Sequence, residues 1–97
     1  MGIQRLKRRF RMTIHELIAM MKLKGIVCES GIIGLLNDKY VEWAMILFED
    51  EYYVAHSVLD NYEDICYYED IEDFENELQA RVYCLNLPTE LNGEVYE

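Results

Sequence analysis

Between residues 12 and 25 the apolar positions recur with a helical period. Ile14, Leu17, Ile18 and Met21 fall on one face, while His15, Glu16, Lys22 and Lys24 fall toward solvent or the helix end. Thr13, followed three residues on by Glu16, is a capping-box signature, Met12 and Leu17 can form the hydrophobic staple across it, and Gly25 marks the stop. Lys22 and Lys24 then occupy the last turn, where exposed carbonyls favour cations, so their charge has a local explanation.

From Ile26 to Val58 the chain becomes β-branched and aromatic, with turn signals at Gly31, Gly34, Asn37-Asp38 and Glu49-Asp50-Glu51. This pattern predicts an antiparallel meander of strands over 26–36, 40–48 and 52–58. The second strand is the central one, with Val41, Trp43, Met45 and Leu47 on one face. Val41, Ala44, Met45 and Phe48 also match a helix stripe; aromatic enrichment and the turn signals on both sides favour the strand. Gly31 and Gly34 are expected to admit a bulge or twist in the first hairpin.

After an acidic connector, Ile71, Phe74 and Leu78 predict a second helix over 69–80, capped by Asp70, with Asp70, Glu72, Asp73 and Glu77 around its outer side. Residues 81–87 are expected to add a strand that Pro88 ends, and the tail through Asn92 and Gly93 has the composition of a frayed terminus. The expected fold is thus α+β: a small antiparallel sheet of three to four strands flanked by an N-terminal helix and an acidic C-terminal helix.

Ninety-seven residues fit one domain, and 52% hydrophobic content supplies a core despite a net charge of −10. The charge is sorted along the chain. Seven of the nine Lys and Arg residues lie in the first 24 positions against one acid, Glu16, whereas residues 60–77 hold nine acids and no base. The organisation read from this is a basic arm over residues 1–12, carrying Arg5, Lys7, Arg8, Arg9 and Arg11, and a single acidic domain over residues 13–97. No run of eighteen apolar residues and no signal-peptide pattern occurs, so a cytoplasmic protein without a membrane partner is expected. Cys28, Cys66 and Cys84 are odd in number and widely spaced, which fits buried, reduced thiols rather than a disulfide framework.

Candidate chemistry is sparse. His15 and His56 belong to no ligand spacing, and no CxxC, HxxxH or HExxH motif occurs, so no metal site, cofactor or catalytic group is expected and the chain does not read as an enzyme. The run from Asp60 to Ile71 is not an EF-hand, since Ile65 stands where the loop requires glycine. Gly31-Ile32-Ile33-Gly34 lacks the lysine and spacing of a P-loop. What remains is a surface function. Duplex DNA presents one charge per roughly 1.7 Å of axis, and a rigid acidic scaffold can offer carboxylates to the lysines and arginines that normally meet it. Tyrosines beside the acids, Tyr52, Tyr53, Tyr62, Tyr67 and Tyr68, serve either as contact area or as sheet packing.

The run from Tyr68 to Gln79, YEDIEDFENELQ, resembles the acidic C-terminal helix of the small type II-A anti-CRISPR proteins, phage inhibitors of the guide-RNA-directed DNA nuclease. Residues 12–18, MTIHELI, look like that family's opening helix. Residues 51–54, EYYV, look like the strand after its acidic hairpin loop, and residues 89–92, TELN, echo its ending. The basic arm is extra to the family's pattern, an amphipathic helix between sheet and acidic helix is missing, and the hairpin loop lacks the family's glycine. The resemblance implies occupation of the nuclease site that reads the PAM duplex, by Glu49, Asp50, Glu51 and Tyr52 in the hairpin and by Tyr68, Glu69, Asp70, Glu72 and Asp73 at the helix start. The implied partner is the type II effector nuclease, loaded with guide RNA, with no direct DNA binding by the acidic domain. Two other readings stand beside this one: a regulator whose basic arm contacts guide RNA or DNA, and a homo-oligomer assembled through opposite charges.

Overall fold

The computed structural model describes residue 8, residues 11–64 and residues 68–91. The fold is α+β. Helix α1 (Ile14–Lys24) leads into four strands, β1 (Ile26–Gly34), β2 (Tyr40–Phe48), β3 (Glu51–Leu59) and β4 (Asp70–Phe74), and helix α2 (Glu77–Leu91) closes the order. The strands form one antiparallel sheet in the order β1-β2-β3-β4. Among the described residues no helix is long and apolar enough to cross a membrane.

Helix α1 follows its local chemistry. The Thr13 hydroxyl accepts from the Glu16 N–H at 3.3 Å, and the Glu16 carboxylate accepts from the Thr13 N–H at 3.0 Å, completing the capping box. At the other end the Gly25 N–H donates to the Met21 carbonyl at 2.7 Å. Leu17, Ile18 and Met21 are fully buried against Ala44, Ile46, Phe48, Tyr53, Ala55 and Ile71. Each such side chain gains about 1.5–3 kcal/mol from burial before ordering entropy is subtracted.

Helix α2 covers the opposite face. Ala80, Cys84 and Leu87 pack on Met45 and Val54, with Trp43, Tyr52, Phe74 and Tyr83 around them. The sheet is therefore sandwiched between two helices. This explains why β2 and β3 are apolar at both parities: Val41, Trp43 and Met45 face α2, while Ala44, Ile46 and Phe48 face α1. The same two-sided burial generates the helix-like stripe in residues 41–48.

The C-terminal half departs from the sequence expectation. The predicted helix over 69–80 is β4 followed by the start of α2, and the predicted strand over 81–87 lies inside α2. Ile71 packs beneath α1 and Phe74 beneath α2, so their spacing of three reflects opposite faces of a strand and not one face of a helix. Asp70 is in β4 and caps nothing. The cap belongs to Asn76, whose side chain accepts from the Gln79 N–H at 2.9 Å and whose carbonyl accepts the Ala80 N–H at 3.3 Å. Pro88 sits within α2 and terminates no strand. Two smaller expectations also change. Cys28 is exposed, and only Cys84 of the described thiols is buried, which pushes its pKa up to about 11. The bulge in the first hairpin lies between Val27 and Glu29, away from both glycines.

Candidate nucleic-acid-mimicking surface

The acidic residues singled out from sequence gather along the β4 edge and at the end of the β2–β3 hairpin. Glu69, Asp70, Glu72, Asp73 and Glu75 place five acids in seven consecutive residues, on and beside an edge strand. Pairing of β4 with β3 fixes them. Tyr53 stands opposite Asp73, Val54 opposite Glu72 and His56 opposite Asp70, and the Glu69 N–H donates to the His56 carbonyl at 3.3 Å. Strand alternation then sorts the side chains: Asp70 and Glu72 share the α2 face with Phe74, and Asp73 shares the α1 face with Ile71. Asp70 and Glu72 are exposed and Asp73 is half-buried.

The β2–β3 hairpin turns through Glu49 and Asp50, both exposed and both at positive φ, 49° and 67°. Two such residues between paired strands define a tight primed turn, normally filled by Asn-Gly or Asp-Gly. Glu51 pairs with Phe48 at the hairpin base and accepts from the Tyr53 hydroxyl at 3.4 Å. Because Tyr52 pairs with Phe74, the hairpin end and the Phe74–Glu75 end of the acidic edge lie side by side. Glu51, next to Tyr52, is thus the hairpin acid nearest the Glu75 end of that edge.

The tyrosines are structural in part. Tyr52 packs under α2. Tyr68 packs against the α1 cluster, donates to Glu42 at 3.4 Å and carries the Lys22 ammonium 5.1 Å above its ring. Burial raises the Tyr83 pKa first, and the charges of Glu72, Glu90 and Asp70 raise it further. Farther along, Asp60, Glu63, Asp64 and Glu69 line an open depression of about 490 Å³ beside Ser57 and Leu59. Lys39 bonds Asp60 and holds its carboxyl below the usual range.

Of the arm residues, Arg8 and Arg11 are exposed, and Arg5, Lys7 and Arg9 lie outside the described residues, as do Cys66 and Tyr67. Among the described residues no group of three His, Cys, Asp or Glu side chains is placed to hold a metal ion. Glu75 extends the acidic edge; the sequence shows it only as one acid of the run over 60–77. Glu90, whose charge acts on Tyr83 together with those of Glu72 and Asp70, comes from a remote segment that no pattern in the acidic run points to.

What this surface can do follows from its spacing. A strand advances 3.3–3.4 Å per residue and alternates its side chains between two faces. The α2 face of the edge therefore carries Asp70 and Glu72 about 7 Å apart and the other face carries Asp73, all three held by cross-strand pairing rather than on a flexible loop. Comparison of the chain with protein-family models, curated proteins and solved structures finds no match in any of the three.

Proposed function

We propose that this protein is a stoichiometric inhibitor of a DNA-binding nuclease, in which the acidic β4 edge and the adjoining hairpin occupy the groove that receives DNA. The target favoured is the guide-RNA-loaded type II CRISPR effector nuclease, at its PAM-reading site. One observation supports the mimicry above all others: the five acids from Glu69 to Glu75 ride on and beside a paired edge strand, with no lysine or arginine among them. Arginines placed to read a guanine or grip a phosphate accept a carboxylate with the same two-pronged geometry. The choice of nuclease rests on the resemblance of residues 12–18 and 51–54. The run over 68–79 bears on it through its charge, since β4 occupies the place where the family has a helix.

A DNA-cleavage assay with purified effector tests the proposal. Glu69→Lys/Asp70→Lys/Glu72→Lys should abolish inhibition with little change in thermal stability, because all three positions are exposed. Deletion of residues 1–11 should leave inhibition intact; loss on that deletion would favour the basic arm instead. Affinity should fall as salt rises, as contacts between carboxylates and arginines require. Full inhibition by the triple lysine variant would remove the mimicry mechanism.

A further inference from the structure

The sheet has two edges, and they are treated differently. The β4 edge is lined with acids, which repel a like strand and protect it from pairing. The β1 edge is the opposite case. Its sequence, IVCESGIIG, contains no lysine, arginine or proline, and its one acid, Glu29, pairs with Arg81 of α2, a cation it shares with Glu77. Among the described residues nothing pairs with its outer side. The bulge between Val27 and Glu29 interrupts only the start of the strand, and from Glu29 to Gly34 the register with β2 is unbroken. Large apolar side chains are left in solvent here: Ile26 is 62% exposed, Val27 39% and Ile32 41%.

We propose that the outer edge of β1 is a self-association surface, on which a second copy of the chain adds its own β1 antiparallel to make a continuous eight-stranded sheet. Charge selects the second copy as the occupant. Copies with a net charge of −10 repel one another wherever acids meet, and β1 lies three strand spacings, about 14 Å, from β4, beyond a Debye length at physiological salt. It is the edge at which two copies bring the fewest acids together, Glu29 alone, and that carboxylate is paired with Arg81.

The geometry is self-complementary. A two-fold axis normal to the sheet keeps the α1 faces of both copies on the same side, so Val27 and Ile32 of one copy meet those of the other, and the free N–H and C=O groups of the two edges pair. A strand about 30 Å long, with side chains on both faces, buries on the order of 1,000 Å² in total, the lower limit for a specific interface. Both acidic β4 edges stay at the outer ends of the sheet. This association is apolar and backbone-mediated, unlike head-to-tail pairing of a basic arm with an acidic body.

Sedimentation equilibrium of the full chain tests it over about two decades of concentration around 10 µM, at low and high salt. The expected result is a species of twice the 11.6 kDa chain mass, unchanged or favoured by salt, with dimer affinity lowered at least tenfold in Val27→Lys/Ile32→Lys. Amide exchange on the unmutated chain gives a second readout that does not depend on a variant folding. Outward-facing amides of residues 29–34 should be protected at high concentration and lose that protection on dilution. A monomer at every concentration, a dimer that dissolves as salt rises, a dimer indifferent to the two lysines, or β1 exchange independent of concentration would each overturn the proposal.

Discussion

The His56 Nε2 stands 3.9 Å from the Asp70 carboxylate across the β3–β4 ladder, while its Nδ1 is buried with no partner among the described residues. His56 is 7% exposed and its neighbour on the other side, Trp43, also buries a ring nitrogen that has no partner among the described residues. One row across the sheet, Gly31, Trp43, His56 and Asp70, thus runs from the neutral edge to the acidic edge. The indole lies directly over Gly31, where a Cβ would come 3.2 Å from its nitrogen.

An orphaned buried nitrogen costs about 1–3 kcal/mol, whereas an apolar side chain of similar size costs nothing of that kind. His56→Leu is therefore expected to leave unfolding free energy within about 1 kcal/mol of the parent, or to raise it. Urea denaturation measures this. A loss above about 2 kcal/mol would show that the ring nitrogen is bonded in solution.

Gly25 joins α1 to β1 at a place where backbone meets backbone. A Cβ there would lie 2.5 Å from the Leu47 carbonyl oxygen and 2.8 Å from that of Met21, neither of which can swing aside. Gly25→Ala should destabilise by about 1–3 kcal/mol, the range for overpacking a fixed site. Gly34→Ala is the control, since its Cβ meets only the Tyr40 ring at 3.8 Å, an ordinary contact. Equal losses for the two variants would contradict the α1–β1 junction described above.

The capping box gives a pH-dependent prediction. The Thr13 backbone hydrogen bond, aided by the Thr13 hydroxyl, lowers the Glu16 pKa below its ordinary value of 4.5. A carboxyl whose folded pKa is depressed contributes stability above its unfolded pKa and loses it as pH falls through the folded value. Thr13→Ala should lower stability at neutral pH by about 1 kcal/mol, the usual loss for an N-cap, and the loss should shrink below pH 4.5 as Glu16 protonates. Unfolding midpoints of both proteins across the acid range would reveal a constant difference if Glu16 were not engaged.

The N-terminal half was legible because its signals are local and agree with one another. Thr13, Glu16 and Gly25 bracket a helix whose apolar stripe has a single period, and Asn37-Asp38 and Glu49-Asp50 separate strands of β-branched and aromatic residues. The C-terminal half was not, because two helices on opposite faces imprint two patterns on one short strand. Ile71, Phe74 and Leu78 mimic a helical stripe, yet Ile71 and Phe74 serve different cores and Leu78 is 72% exposed. The true signals were present in Asn76 with Gln79 as cap and in Ala80, Cys84 and Leu87 as the buried stripe, continued by half-buried Leu91. Pro88 obscured them by reading as a terminator. The acidic surface was legible as composition; its placement on a strand edge, with Asp70 and Glu72 on one face and Asp73 on the other, required the register of β4.

Whether the acidic edge takes the place of DNA is tested most directly by equilibrium competition on the guide-loaded effector, with labelled target duplex displaced by the protein. Displacement is expected at one equivalent of the parent chain and at least tenfold weaker with Asp70→Lys/Glu72→Lys, which retains the parent fold by circular dichroism. Simultaneous binding of protein and duplex, or equal displacement by the charge-reversed variant, would contradict it.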